Sequence, residues 1–364
     1  MANDRNDWLL SLILDRVRNS KASDSSTSVD KIAQEIVSTV VPRCAELIVK
    51  NVKSNLEEIL DKRRSYERQF EERLLERWKK PIDLLEILVE ICLEAGAELN
   101  NECRSTAARS NDYVFTVLTA LHARACQTSH EILALLRSGL ADGAHARWRT
   151  LHEIAVIAAF IKNQGQETAK RYLDYGIIES YKEIREYQEH CSRLGYEPLA
   201  EKELEAIRQR FEETLRAYGK SFQQEYGWVP ENILIQRNFA AIEEHVKLGH
   251  LRPYYRMACH NVHSGPKGIE VRLGLLRGGS EKTLLLAGPS NYGLADPGQG
   301  AAISLNQITT CLLSIRPTIE RLSTMKAIEE LVTEINPAFV EVQMQIEKEE
   351  KLREDHPKQN AKKE

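Results

Sequence analysis

The sequence predicts an all-α protein, a multi-helix bundle that carries a long N-terminal helical arm and a small β-hairpin insert. Over most of the 364 residues, apolar side chains recur every three or four positions, as they do on amphipathic helices. Proline and glycine stand at several of the breaks between these segments. Strand-like apolar runs occur only between positions 265 and 300, where nine of the 18 glycines are found.

The composition narrows the class of protein. Hydrophobic residues make up 42% of the chain, enough to bury a core, and the net charge of -4 lacks the overall basic character of many nucleic-acid-binding proteins. The longest purely apolar run, 154–161, is too short to span a membrane. The seven cysteines are scattered and include no Cys-x-x-Cys pair. This pattern indicates reduced thiols, as in a cytosolic protein. We therefore expect a soluble cytoplasmic protein away from the membrane, with no cofactor and no metal.

The N-terminal part is predicted to contain two segments. Residues 1–28 combine an amphipathic helix at 5–18 with a Ser-rich linker, and this helix either docks elsewhere or packs on the main body. Residues 29–104 form the long helical arm, in which a charge-rich helix at 43–80 ends before Pro81. The arm helix offers a surface for pairing with a second helix.

Residues 105–335 are predicted to form the helical core domain, and residues 336–364 a C-terminal helix with a charged tail. Two apolar runs on either side of an Arg-Gly-Gly-Ser-Glu-Lys sequence predict a β-hairpin near 269–287. Further helices are predicted at 82–103, 111–138, 141–163, 166–194, 199–226, 235–247, 250–262, 301–325 and from about 337 onward.

A first polar stripe lies on the predicted helix at 141–163. It consists of His145, Arg149, His152 and Glu153, whose spacing places them along one face of a helix. On a structural interpretation, the arginine and the glutamate form a buried ion pair while the histidines bond to loop carbonyls. On a functional interpretation, the stripe orients a site on a neighbouring helix. The sequence leaves both interpretations open.

A second stripe consists of Arg252, Arg256, His260 and His263, just before the helix-ending sequence Ser-Gly-Pro. Binding and catalytic groups concentrate at such rims. A histidine can remove the 2′-OH proton of RNA, and an arginine can stabilise the charge that develops on the phosphate, without any metal. The stripe is therefore a candidate ribonuclease site, with His260 as a supporting group.

The spacing Arg256-x6-His263 resembles the motif of the HEPN superfamily (higher eukaryotes and prokaryotes nucleotide-binding), an arginine followed after four to six residues by a histidine. The residue after the arginine is usually polar in that superfamily, whereas it is Met257 here. The resemblance implies an all-helical homodimer and, as in many members, a metal-independent ribonuclease. In that role His263 is the general base and Arg256 stabilises the phosphate, while Arg149 and Glu153 orient the site.

The chain also resembles, over about residues 110–325, an uncharacterised bacterial domain of unknown function. Members carry Gly-Leu, Ala and Arg-(Ser/Thr)-Leu-x-Glu on one helix, and a Tyr-rich helix that ends in Val-His before a small residue. The matching residues are Gly139-Leu140, Ala146, Arg149-Thr150-Leu151-His152-Glu153, Tyr254-Tyr255 and Val262-His263-Ser264-Gly265. The resemblance implies a helical fold and a role in phage defence, and it places Tyr255 among the supporting residues.

Several other kinds of catalytic site are excluded by their missing motifs. The sequence has no paired Glu-x-x-His motifs for a di-iron centre, no His-Glu-x-x-His zinc motif and no glycine-rich phosphate loop after a strand. The leading hypothesis is a HEPN-like ribonuclease that acts on RNA in phage defence or as a toxin, with a partner or antitoxin protein. The alternative is a non-enzymatic helical sensor or protein-interaction subunit of a defence system, in which both polar stripes are structural.

Overall fold

The computed structural model describes residue 34 and residues 36–263, 265–275 and 285–355. These residues form eleven α-helices and no strand. The helix predicted at 5–18, the linker after it and the tail from 356 onward lie outside the described residues. The helices are α1 (Val41–Ser54), α2 (Leu56–Arg109), α3 (Tyr113–Arg137), α4 (Ala141–Gln164), α5 (Gln166–His190), α6 (Glu201–Tyr218), α7 (Phe239–His245), α8 (Arg252–Val262), α9 (Lys267–Glu270), α10 (Ala295–Leu313) and α11 (Ile319–Asp355).

The chain divides into two compact units, Met1–Phe70 and Glu71–Glu364. The described part of the first unit is a short π-helical turn, Ile36–Val40, followed by α1 and the start of α2. The second unit holds the remainder of α2 and every later helix. This division falls inside α2, whereas the sequence placed the end of the arm at residue 104.

Helix α2 continues through Pro81, which corrects the prediction that the arm helix ends there. Proline removes one hydrogen bond of the helix and crowds the preceding turn. Here its ring belongs to a buried face, on which Trp78 and Ile82 are fully shielded from solvent. The indole Nε1 of Trp78 also donates a 2.9 Å hydrogen bond to Oδ1 of Asn291. This burial offsets the cost of the proline, and α11 likewise continues through Pro337.

The centre of the second unit is an antiparallel pair of helices, α3 and α4, against which α10 packs. The carboxylate of Asp112 caps α3 by accepting a 3.0 Å hydrogen bond from the backbone N–H of Phe115. Gly139 closes the turn to α4 with a φ of 69°, in the left-handed region that favours glycine. Helix α8 packs on α4, α5 packs on α3, and α11 packs on α10. The predicted helical hairpin of 111–138 and 141–163 is therefore present.

Two predicted helices end earlier than expected. Helix α6 stops at Tyr218, where Gly219 takes a φ of 89°, although the sequence predicted helix as far as residue 226. The segment predicted as one helix at 301–325 is divided between α10 and α11. Pro317 lies in this break, and a proline restricts the residue before it to non-helical backbone.

The β-hairpin predicted near 269–287 is not seen in the described residues. Ile269, the start of its first strand, lies in the short helix α9, and residues 271–275 and 285–290 have irregular backbone. Residues 276–284 of the predicted hairpin lie outside the description.

Backbone groups of this glycine-rich region bond to the core helices. The N–H of Leu273 donates to Asp142 Oδ1 at 2.9 Å, and the N–H of Ser290 donates to the Gly139 carbonyl at 2.9 Å. The amide of Leu273, which a hairpin ladder would have paired, is thus satisfied by a core helix instead. The N–H of Ser290 ties the segment after the predicted hairpin to the turn between α3 and α4.

None of the helices in the described ranges is both long and apolar enough to cross a membrane.

Replacement of Gly298 by alanine is expected to destabilise the protein. A Cβ atom at this position of α10 would clash with the ring of Phe339, which is fully buried, so the ring must move from its packed position. Overpacking of this kind costs about 1–3 kcal/mol. The measurement is the midpoint of thermal unfolding by calorimetry.

The matched control is Gly176→Ala in α5, where a Cβ would meet no atom within 4 Å. Alanine has a higher helix propensity than glycine, by about 0.5–1 kcal/mol, so this variant should unfold at a higher temperature than the wild type. A Gly298→Ala protein as stable as Gly176→Ala would contradict the described packing of α10 on α11.

Candidate functional site

The two histidines of the first polar stripe belong to the core. His145 and His152 are buried, and their rings stack on the indole of Trp148 with centroid distances of 5.3 and 5.4 Å. The indole Nε1 donates a 3.1 Å hydrogen bond to Oγ of Ser304 in α10. Because both imidazoles face inward from α4, neither is in a position to contact a substrate from solvent.

A buried carboxylate, Glu243, connects α4, α7 and α8. Its side chain is 1% exposed, and its two oxygens lie 2.7 Å from Nε2 of His152 and 2.9 Å from Nη1 of Arg252. The ring of Phe239, in the same helix as Glu243, packs edge-on against His152. A carboxylate without such partners would be costly to bury, so the three helices are held in one arrangement by this charge.

A second polar cluster lies at the edge of this network. The hydroxyl of Tyr255 donates a 2.5 Å hydrogen bond to Oε1 of Glu153. Nε of Arg149 lies 3.1 Å from the same oxygen, an ion-pair contact that lacks the geometry of a hydrogen bond. The guanidiniums of Arg149 and Arg252 lie 5.1 and 5.2 Å from the Tyr255 ring centroid. Burial, and next the bond to Glu153, raise the pKa of Tyr255, so its hydroxyl stays protonated.

Tyr226 also belongs to the surroundings of this cluster. Its φ of 55° is in the left-handed region, which a non-glycine residue occupies at a cost of about 1–3 kcal/mol. Burial raises the pKa of Tyr226 to about 12, and the negative charge of Glu153 adds to the effect. Neither Tyr226 nor Glu243 is among the site residues predicted from the sequence. The one available signal for Glu243 was its position beside Ile242 and one helical turn after Phe239.

The second polar stripe separates into a buried part and an exposed part. Arg252 and Tyr255 are held by the glutamates described above, whereas Arg256 and His263 are exposed and His260 is half-buried. Within the described residues, the side chains of Arg256, His260 and His263 form no hydrogen bond, ion pair or ring contact. Arginine and histidine side chains without internal partners are available to an external ligand.

His263 lies just beyond the helix that carries Arg256, in agreement with the helix predicted at 250–262. Helix α8 ends at Val262, and His263 follows with φ of -106° and ψ of 138°, which is extended backbone. Arg256 and His260 are four residues apart within α8 and therefore share one side of it. Pro266, four residues after Val262, favours the end of the helix here.

The described ranges contain no cluster of three or more histidine, cysteine, aspartate or glutamate side chains placed to hold a metal ion.

His145 differs from His152, because its imidazole has no polar partner like Glu243. Neither of its ring nitrogens has a hydrogen-bond partner in the described part of the chain. Burial lowers the pKa of His145 to about 4, against an unperturbed value of 6.5, because the charged form would lose its hydration. The imidazole therefore stays neutral and behaves as an aromatic ring on Trp148.

The variant His145→Phe is expected to be at least as stable as the wild type at pH 7 and clearly more stable at pH 5. The unfolded chain protonates this imidazole below about pH 6.5, whereas the folded protein does so only near pH 4, so wild-type stability falls as the pH drops between these values. The contribution is about 2 kcal/mol at pH 5. Urea unfolding at the two pH values measures it.

His122→Phe is the control for this prediction. Burial also lowers the pKa of His122 to about 4, but its Nε2 lies 3.1 Å from Oγ1 of Thr309. Loss of that bond should destabilise the His122→Phe protein at pH 7 by about 1–2 kcal/mol. Equal destabilisation by both variants at pH 7 would show that the His145 nitrogens have partners in the folded protein.

A comparison with known protein families finds a match for the region that carries both polar stripes. Residues 115–280 match the sequence model of DUF5677, described as a family of unknown function. No curated protein and no solved structure matches the chain. The resemblance to an uncharacterised helical domain that the sequence motifs predicted is confirmed, since residues 115–280 are similar to this family.

Proposed function

We propose that the exposed end of α8 binds RNA and cleaves it without a metal ion. The observation that supports this proposal is that the second stripe divides into side chains with partners inside the protein and side chains without them. Glu243 neutralises Arg252 and Glu153 accepts the hydrogen bond of Tyr255, while the side chains of Arg256, His260 and His263 form no hydrogen bond or ion pair with the described residues. One fixed positive charge and two imidazoles at a surface are the groups that phosphodiester cleavage requires.

The chemistry assigns one role to each of the three side chains. His263 accepts the proton of the 2′-hydroxyl as this oxygen attacks phosphorus. The guanidinium of Arg256 stabilises the negative charge on the phosphate oxygens in the transition state. His260, in its protonated form, gives a proton to the 5′-oxygen as its bond to phosphorus breaks. The products are a 2′,3′-cyclic phosphate and a 5′-hydroxyl, and the net proton count is unchanged.

The neighbouring helix supplies positioning residues. Glu153 holds the hydroxyl of Tyr255, and Glu243 holds Arg252, so two contacts fix the inner face of α8 against α4 and α7. The outer face that carries Arg256 is thereby held in one orientation. Arg149 and Glu153 thus act through the helix and do not touch the substrate. His145 and His152 anchor α4, the helix that carries Arg149 and Glu153, in the core.

We place this activity in the cytoplasm, in a phage-defence or toxin system with a partner or antitoxin protein. The seven cysteines are all free, as in a reducing compartment. A nuclease that acts on cellular RNA has to be restrained until it is needed. An acidic partner surface could cover the unpartnered end of α8 through its arginine and thereby provide that restraint.

A second candidate function, a non-enzymatic sensor or interaction subunit, is favoured by a specific observation. Five of the residues first assigned to a site form a packed internal network: His145, Arg149, His152, Glu153 and Tyr255. Such a network stabilises a domain without any catalysis. On this candidate, Arg256, His260 and His263 contact an acidic partner protein and no reaction follows.

The wild-type protein is expected to cleave a mixed RNA pool in excess EDTA and to leave 2′,3′-cyclic phosphate ends. Removal of the base lowers the rate of proton transfer by roughly 100-fold or more, and removal of a group that stabilises the transition-state charge costs roughly as much. Arg256→Ala and His263→Ala should therefore each reduce the cleavage rate by at least this factor. Both side chains are exposed, so the variants should keep the wild-type unfolding temperature.

The control is the double variant Arg104→Ala/His190→Ala, in which an exposed arginine and an exposed histidine away from α8 are removed. It should cleave at the wild-type rate. Equal cleavage by the α8 variants and the control would indicate a contaminating nuclease or another site. No cleavage by any protein, together with capture of an acidic partner that Arg256→Ala abolishes, would favour the non-enzymatic candidate.

A further inference from the structure

We infer that residues 45–70 pair with the same residues of a second copy of this chain, as a parallel two-stranded coiled coil. The inference concerns the first compact unit and does not depend on ribonuclease activity. It rests on the spacing, the exposure and the charges of one stripe of side chains, which we call the arm seam. The arm seam consists of Ala45, Val49, Val52, Leu56, Ile59, Arg63, Tyr66 and Phe70.

The arm seam has the spacing of a heptad repeat. Its members follow one another at intervals of four and three residues in strict alternation, from position 45 to position 70. This alternation averages 3.5 residues, the repeat at which one face of a helix stays against a partner helix. Seven of the eight members are apolar. The remaining member is Arg63, whose charge bears on the number of helices in the coiled coil.

Seven of the eight members of the arm seam are exposed to solvent, and Phe70 is half-buried. The exposed fractions are 50% for Val49, 46% for Val52, 46% for Leu56, 47% for Ile59 and 70% for Tyr66. Helix α1 contains no buried residue among those described. A continuous row of apolar side chains on a surface is unfavourable in water and marks an interaction surface. From Leu74 onward, most apolar side chains of one face of α2, such as Trp78 and Ile82, are instead buried in the core of the second unit.

The helical hydrogen bonds continue across the junction of α1 and α2. Asn55 lies between the two helices, yet its N–H donates to the Asn51 carbonyl at 3.2 Å, and the N–H of Ile59 donates to the Asn55 carbonyl at 3.0 Å. Both are bonds between residues four apart, as in an α-helix. The arm seam is therefore one stripe about 39 Å long, at 1.5 Å for each of its 26 residues.

The length of the arm seam favours a second copy over a segment of the same chain. The N-terminal amphipathic pattern at residues 5–18 would form a helix of about 21 Å, which could cover only about half of the seam. The same 26 residues in a second copy match the arm seam in length and in apolar spacing. Identical seams in a two-fold arrangement also place every member opposite itself.

The charges beside the arm seam favour a parallel pair. With Val49, Leu56, Arg63 and Phe70 at the a positions, Lys62 occupies a g position and Glu67 the following e position. In a parallel two-stranded coiled coil, a g residue faces the e residue five positions later on the other chain. Lys62 then lies opposite Glu67 of the partner subunit, and this attractive pair occurs twice in the dimer.

Arg63 favours two strands over three or four. An arginine at an a position of a dimer can extend its guanidinium past the seam to solvent, whereas the interior of a larger bundle would bury it. Nε of Arg63 lies 2.7 Å from Oε1 of Glu67, so the guanidinium already points toward the side of the seam. A single polar residue at a seam position sets the number of strands and the register at some cost in stability.

The full-length wild-type protein is expected to have twice the 41.5 kDa mass of one chain in solution. The double variant Val52→Glu/Ile59→Glu puts two carboxylates into the seam of each chain and should weaken dimerisation by roughly 100-fold or more. The mass is measured by light scattering after size exclusion, over a range of concentrations. Circular dichroism and the unfolding temperature report whether the variant still folds.

The matched control is Leu47→Glu/Ile87→Glu, which changes two exposed apolar residues that do not belong to the arm seam. This protein should remain a dimer. A monomeric wild type would overturn the inference, because the seam would then be covered by the chain's own N-terminal segment or left bare. A dimer that survives the Val52→Glu/Ile59→Glu change would also overturn it, by placing the interface elsewhere.

A charge reversal tests the orientation even if the first variant fails to fold. Glu67→Lys should weaken the dimer by roughly fivefold, since it puts lysine opposite lysine in both pairs. Adding Lys62→Glu should restore the affinity between chains. Within one chain, Lys62→Glu should destabilise the helix, because it replaces the 2.6 Å ion pair between Lys62 and Glu58 with two neighbouring glutamates. Recovery in the double variant therefore supports the parallel pair, and further weakening overturns it.

Discussion

The buried indole of Trp148 determines how α4 meets α10, and the polar face of α4 depends on that contact. Gly300 allows the close approach, since a Cβ at that position would lie 2.6 Å from the indole Nε1. The hydrogen bond from Nε1 to Ser304 then fixes the rotation of α4 about its axis. Residues three before and four after Trp148 follow it into the core, which is why both histidines of the stripe are buried.

The same rotation carries Arg149 and Glu153 to the edge of the core, where they meet α8. Two carboxylates there neutralise two arginines: Glu153 lies beside Arg149, and Glu243 lies beside Arg252. Removal of one member of such a pair would leave an uncompensated charge in a poorly hydrated place. The charges of these arginines are thus already compensated within the protein, and the side chains of α8 that lack such partners lie beyond them. Arg256 is the arginine of α8 that has no carboxylate partner within the described residues.

Much of this arrangement could be predicted from the sequence, because local patterns determine local structure. The hairpin of α3 and α4 followed from apolar spacing and a glycine at the turn. The pairing of Arg149 with Glu153 followed from their separation by one helical turn. The continuation of α2 through Pro81 could not be predicted, since it depends on the burial of Trp78 against residues more than 200 positions away. The partner of His152 was likewise hidden, because Glu243 lies 91 residues further along the chain.

The end of α8 at Val262 changes what its exposed side chains can do together. Four residues of helix separate the Cα atoms of Arg256 and His260 by about 6 Å along the axis, on one side of the helix. Had the helix continued, His263 would stand about 10 Å from Arg256, on nearly the same side. The extended backbone at His263 instead frees this imidazole from the helical register. A favourable interaction with the helix C-terminus can account for His260 and His263, since it acts on cations near the last turn. It does not reach Arg256, the fifth residue of the helix, and this exposed guanidinium is the fixed charge of α8 that supports the proposed anionic ligand.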